Sequence, residues 1–289
     1  MANSTPLRTA PLRAAPLRAA LGAQPPFEFV DAGGTRLAVM RRGRGRPLVC
    51  LHAIAHGARD FELLAERAGD AFEVIAVDWP GHGLSPDDGK APDAKHYADV
   101  LTRLLDTLQL DRPILLGNSI GGAAALQVAA SRDDLGGLIL CNAGGLRPVD
   151  GVARFAIARM VSFFRAGEMG RKWFGGAYRF YYTRLVLPRA PQAHRERIVA
   201  AGYEMAGTLR SAWESFARGD ADARGLVAMV NCPILFAWAK SDRIIPWSAS
   251  RNAALTAKNG TVALLKGGHS AFVEDADAFA RVLREFASA

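Results

Sequence analysis

Long apolar runs are scarce in this chain of 289 residues. The longest uncharged stretch near membrane-spanning length runs from Pro113 to Ala130, and Asn118, Ser119, Gln127 and three glycines interrupt it. It reads as a strand followed by a helix, so no integral membrane association is expected. Cysteine is nearly missing: Cys50, Cys141 and Cys232 are odd in number and far apart. Such spacing argues against a disulfide framework and a cysteine metal site, and implies buried thiols in a reducing, cytoplasmic compartment. Residues 1–25 lack the apolar core and small-residue cleavage site of a secretory signal. They carry Pro-Leu-Arg at Pro6, Pro11 and Pro16, and proline at that period prevents a continuous helix. A disordered basic tail is expected there.

Acidic residues are short in two places. Residues 31–46 hold five arginines against one aspartate, and residues 146–230 hold 14 Lys/Arg against 7 Asp/Glu, within a net charge of +8. Such clustering suits an anionic substrate, an acidic partner or a membrane surface, and equally a solvated arginine-rich face. No nucleic-acid partner is expected. Half the residues are hydrophobic and 22% are charged, ordinary values for a soluble globular protein. The length allows one large α/β domain with an insertion, or two domains.

What is present centres on Gly117-Asn118-Ser119-Ile120-Gly121-Gly122. Apolar Pro113 to Leu116 precedes it as a short buried strand, and Ala123 to Ala130 follows, rich in helix formers. The serine therefore sits on a sharp turn between strand and helix. Glycines at 117 and 121 let the two elements pass closely. This is the G-x-S-x-G nucleophile elbow in the strand–turn–helix context it requires.

Along the chain, Phe27 to Asp31 and Thr35 to Arg42 read as a hairpin joined at Gly33-Gly34. Solid apolar strands follow at 47–51, 74–77, 138–141, 234–238 and 262–265, with helical patterns at Ala98 to Leu110 and Ala276 to Ala287. Continuously apolar strands separated by helices imply an α/β fold, a mostly parallel central sheet with helices on both faces. Residues 146–230 break the alternation. They show helical patches at Val152 to Phe164 and Arg197 to Ala217, and hold 12 of the chain's 24 aromatics. A helical insertion between two sheet strands is expected, its aromatics shared between its own core and an apolar pocket.

A serine hydroxyl needs a base, and a base histidine needs a carboxylate to orient it. In the chain order that accompanies this elbow, acid and then histidine follow the serine. Only His194 and His269 lie beyond Ser119. His194 reads as an exposed helix start. His269, in Gly267-Gly268-His269-Ser270, follows the last strand, at the sheet edge where Ser119 must lie. Asp242 follows the strand before it, whereas the strand ending at Cys141 leads into Asn142 and offers no carboxylate until Asp150. The expected triad is Ser119, Asp242 and His269. Backbone N–H groups of Ile120 and of Ile54, in the loop after Leu51, are the expected oxyanion donors. His52 and His56 are read as shaping that loop, and Asp78 to Ser85 as a turn held by its aspartate and glycines.

Together these segments resemble the α/β-hydrolase superfamily in order and spacing over residues 27–289. The resemblance implies a hydrolase core in two parts, residues 26–145 and 231–289, roofed by a helical cap at 146–230. It also implies a serine hydrolase of small-molecule substrates without cofactor or metal, with a carboxylic ester as the leading substrate class. Serine at the nucleophile position argues against the haloalkane dehalogenase and epoxide hydrolase branches, which place aspartate there. Asn118 and the basic cap are similar to carbon–carbon bond hydrolases acting on anionic meta-cleavage products. The loop after Leu51 lacks the Gly-rich stretch of those enzymes, and Ala271-Phe272 lacks their tryptophan. Ala53 stands where the superfamily usually has glycine. A non-catalytic ligand-binding protein on the same fold is the remote alternative.

Overall fold

The computed structural model describes residues 27–288. The Pro-Leu-Arg repeats lie outside them. Eight strands form one sheet: β1 (Phe27–Asp31), β2 (Arg36–Gly43), β3 (Arg46–Leu51), β4 (Phe72–Val77), β5 (Ile114–Asn118), β6 (Gly137–Cys141), β7 (Ile234–Ala239) and β8 (Gly260–Leu265). Their spatial order is β1-β2-β4-β3-β5-β6-β7-β8. The first hairpin is antiparallel, and β2 joins β4 antiparallel. From β4 through β3 to β8 every pairing is parallel. The hairpin turns on Gly33 and Gly34, both in the left-handed region, where a side chain would be strained.

Strands β5, β6 and β7 are buried at every residue. Such strands cannot alternate polar and apolar residues, because both faces must be covered. The cover comes from helices. On one side, α1 (Glu62–Ala68) packs with α10 (Ala276–Ser288). Elsewhere α2 (Ala94–Leu108) packs with α3 (Ile120–Ala129). The Asp93 side chain caps α2 by accepting from the His96 N–H, a contribution of about 1 kcal/mol. Edge strand β8 is mostly exposed, unlike its neighbours.

Between β6 and β7 the chain leaves the sheet and forms α4 (Gly151–Glu168), α5 (Phe174–Phe180), a π-helical turn Tyr181–Val186, α6 (Gln192–Ala200) and α7 (Ala206–Ser215). Ala153, Ile157, Phe164 and Gly167 line the buried side of α4, which packs on α7. The helical patch expected over Arg197 to Ala217 is two helices. A turn at 201–205 separates them, and at Gly202 a Cβ would meet the Tyr178 ring at 2.6 Å. The sequence pattern also missed α1 and α8 (Trp247–Ala254), whose short amphipathic periods span barely two turns. Cys50 and Cys141 are buried, while Cys232 is only partly so. Burial pushes the Cys141 thiol up to about 12 and Cys232 to about 11, which keeps both protonated and unreactive.

Candidate active site

The sheet order reverses direction at β3, which has β4 on one side and β5 on the other. Loops leaving β3 and β5 therefore diverge and open a crevice at the carboxyl ends of the strands. Leu51 pairs with Gly117, which brings the loop after β3 beside the elbow.

Ser119 holds φ 55° and ψ −118°, outside the regions a side chain prefers. Such backbone costs about 1–3 kcal/mol and persists only when its surroundings fix it. Here a Cβ on Gly117 would lie 2.4 Å from the Gly121 carbonyl oxygen, and one on Gly121 would lie 2.4 Å from that of Leu51. The Ser119 N–H donates to the Cys141 carbonyl at 3.2 Å, and its own carbonyl accepts from Gly122, Ala123 and Gly144. Crowding and hydrogen bonds together hold the turn.

Asp242 and His269 meet at the same edge. Asp242 Oδ2 lies 3.0 Å from His269 Nδ1. Asp242 Oδ1 accepts from the N–H groups of Ile244 at 2.8 Å and Ile245 at 3.1 Å. Both residues are buried. Sequence reasoning missed Asn142. Its Nδ2 donates to Asp242 Oδ2 at 2.6 Å and its Oδ1 accepts from Ala239 N–H at 3.3 Å. The residue stands where the β6 end offers no carboxylate, and that position was its only signal.

The loop bearing His269 is tied down from several directions. Its N–H donates to the Val186 carbonyl of the insertion at 2.7 Å. Asn118 Nδ2 donates to the His269 carbonyl at 2.8 Å and to that of Cys141 at 2.9 Å, while Asn118 Oδ1 accepts from Ser270 Oγ at 2.9 Å. The Asn118 amide is thus spent on the framework. Glu274, in the short helix α9 (Ala271–Glu274), accepts from Gly268 N–H and from Arg189 N–H of the insertion. Burial raises its carboxyl above the ordinary value, opposed by those donors.

Beside the elbow, Ile120 is the first residue of α3, where helical N–H groups have no partner in their own helix. Among the described residues, neither its N–H nor that of Ile54 donates to another backbone group outside the helices and strands. Ala53, which replaces the usual glycine, avoids the left-handed region. Ala55 occupies it instead, at φ 61°. The Ala55 N–H donates to His82 Nε2 at 3.1 Å, and His82 Nδ1 donates to the Pro80 carbonyl. His52 likewise accepts the Trp79 N–H at Nε2 and donates from Nδ1 to the Ala53 carbonyl. Burial lowers His82 to about 4 and His52 well below its ordinary value, so both stay neutral and keep an acceptor nitrogen. Asp78 accepts from Ala58 and Leu84 N–H groups and secures the neighbouring turn. Burial pushes its carboxyl up to about 6. These residues shape the crevice.

His194 is mostly buried, contrary to the sequence expectation of an exposed helix start. Helix α6 packs it against the loop after β3, where His56, Asp60 and His194 each bring a ligand-type atom within 4.8 Å of the others. Arg197 Nη2 donates to Asp60 Oδ1 at 2.6 Å, and His56 Nδ1 is bonded to Asp60 Oδ2. Burial lowers His194 to about 4, which leaves it uncharged at neutral pH beside the Arg197 guanidinium. Against burial, which would raise it, the Asp60 carboxyl is held far below its usual range by the adjoining His56 first, then by His194 and Arg197. A metal ion at this group would have to displace the guanidinium. As it stands, the cluster ties α6 to the loop that carries Ile54.

A sequence profile of the alpha/beta hydrolase family matches residues 48–282. The AB hydrolase superfamily protein YisY of Bacillus subtilis (strain 168) is 28% identical over 256 residues, 85% of this chain and 93% of that protein. A pimeloyl-[acyl-carrier protein] methyl ester esterase of Xanthomonas campestris pv. campestris is 27% identical over 256 residues, 86% of this chain and 97% of its own. Among solved structures, an esterase from Exiguobacterium antarcticum superposes with a TM-score of 0.77 at 19% identity, covering 90% of this chain and 99% of the other. A profile match over most of its length, on a sheet whose elbow follows the strand beside the reversal point, makes the chain a member of the alpha/beta hydrolase family.

Proposed function

We propose that the protein is a serine hydrolase that cleaves carboxylic esters through an acyl-enzyme, with Ser119 as nucleophile, His269 as base and Asp242 as its orienting acid. The observation that carries this reading is the buried Asp242–His269 pair at the edge where Ser119 holds its strained turn. With Nδ1 donating to Asp242, the His269 Nε2 lone pair is left to take the proton from Ser119 Oγ as it attacks the ester carbonyl. Backbone N–H groups of Ile120 and Ile54 stabilise the oxyanion. Collapse of the tetrahedral intermediate expels the alcohol, which takes its proton from His269. Water, deprotonated by the same nitrogen, then attacks the acyl-enzyme. The carboxylic acid leaves, and Ser119 regains its proton.

Residues 146–230 act in this reading as a cap over the crevice, tied to the core through Val186 and Arg197. The named esterase relative supports ester chemistry. Carbon–carbon bond hydrolysis of an anionic dienoate is the second reading; it rests on the basic insertion, since the Asn118 amide serves backbone carbonyls and Ser270.

A fluorophosphonate probe, followed by peptide mapping, tests the assignment. The wild type is expected to label at Ser119 and Ser119→Ala to lose both label and turnover of a short soluble ester. A drop of about a thousandfold or more in kcat/KM is expected. Labelling that persists in Ser119→Ala would sink the reading. Running a dienoate and a thioester beside the ester separates the chemistries.

A further inference from the structure

We infer that the outer face of the helical insertion is a docking surface for an anionic lipid bilayer. Seven of the eleven large apolar side chains exposed among the described residues belong to this insertion. Val152, Phe155, Met169, Trp173 and Phe180 each leave more than half of their surface in water. Exposed apolar groups gathered in one region mark an interaction site, whereas scattered ones do not.

The spacing makes the face continuous. On α4, Val152, Phe155, Arg159 and Phe163 recur at steps of three and four, away from the side that packs on α7. Trp173 precedes α5, with Phe180 seven residues on and Arg184 four beyond that, again along one side. The half-buried Phe163 ring lies 6.1 Å from Trp173 and 6.0 Å from Tyr181, which joins the two rows.

Charge selects the partner. Residues 151–190 contain eight Lys/Arg against the single acid Glu168, whose carboxylate is held by Arg210. Arg159, Arg171, Lys172, Arg179 and Arg184 are all exposed. Among the described residues, none of the five forms an ion pair. Nucleic acid would reward the cations but not Val152 and Met169. A bilayer interface rewards both, since aromatic and aliphatic groups enter the headgroup boundary while cations meet anionic lipid. No helix of the described residues is long and apolar enough to cross a membrane. Attachment is therefore to the surface. The inference does not depend on the chemistry at Ser119.

The test is co-sedimentation of the full chain with phosphatidylcholine vesicles, with and without phosphatidylglycerol. Binding to the anionic vesicles only is expected, weakening as salt rises. A blue shift in tryptophan emission should accompany it and vanish in Trp173→Phe. Arg179→Ala with Arg184→Ala should lower partitioning about 30-fold. Phe155→Ser with Phe180→Ser should lower it as well. Each variant is checked for an unchanged thermal midpoint. Failure to bind either vesicle overturns the proposal. So does binding that these substitutions leave unchanged, which would put the contact elsewhere, such as the arginines of residues 1–25. A concentration-dependent dimer that Phe155→Ser abolishes, without vesicle binding, would assign the face to a second copy of the chain.

Discussion

Asn142 illustrates what one side chain contributes here. Its amide presses on the oxygen of Asp242 that faces His269, and it does so from inside the core, where an unmet donor or acceptor costs about 1–3 kcal/mol. Asn142→Leu removes that donor and leaves Asp242 Oδ2 to His269 alone. We expect kcat/KM to fall about tenfold or more, with the acid limb of the pH–rate profile displaced. An unmoved limb would count against Asn142 as a positioning residue. Gly121 works through absence of a side chain. Its missing Cβ is the space through which α3 passes the end of β3. Gly121→Ala should cost about 3 kcal/mol or prevent folding, read as a drop in the urea midpoint, because backbone atoms rather than flexible side chains stand in the way.

At the scale of elements, polar contacts fasten the insertion to the core at two points beside the His269 loop and the loop after β3, and Arg218 adds a further tie to Asp93. One is the Arg197–Asp60 contact of α6. The other joins the 186–189 segment to the His269 loop through Val186 and Glu274. Arg197→Ala removes the guanidinium paired with the buried Asp60 carboxylate, a loss of about 2 kcal/mol once the partial exposure of Arg197 is allowed for. The loss should appear as faster limited proteolysis within residues 186–205 and a raised KM, with kcat less affected. If cleavage rates match the wild type, α6 is held by packing alone. Element boundaries within the insertion were hard to read from sequence. Its helices are short and their apolar periods pack on one another, so Arg197 to Ala217 gave one pattern for two helices.

For the molecule as a whole, buried imidazoles set the response to acid. Burial lowers His82 and His194 to about 4 from an ordinary 6.5, and His52 is lowered as well. Between those values the unfolded chain takes up protons that the folded chain refuses, so stability rises with pH across the window and is lost as pH falls through it. Asp78, raised to about 6, and Glu274, also raised, act in the opposite sense, since the folded chain holds their protons longer. Three histidines outweigh two carboxylates. We expect the unfolding free energy from urea titration to be lower at pH 5 than at pH 7, by roughly 1–3 kcal/mol. A flat or inverted dependence would show that these histidines are solvated.

Residue patterns alone determined the mostly parallel sheet and the strand–turn–helix run at Ser119. Fully apolar strands must be covered on both faces, and the strand–Gly–Asn–Ser–Ile–Gly–helix run admits one kind of turn. Ser119, Asp242 and His269 stood out because each follows a strand that such a sheet points toward one edge. Tertiary structure decided what no local pattern encodes. The strand order put the loop after β3 next to the elbow, Ala55 rather than Ala53 took the left-handed backbone of that loop, and the Asn118 amide became a framework tie. It buried His194, which its polar neighbours on the chain had marked as exposed. The physical reason is the same in each case: contacts between segments distant in sequence depend on which strands lie side by side, and periodicity within one segment carries no record of that choice.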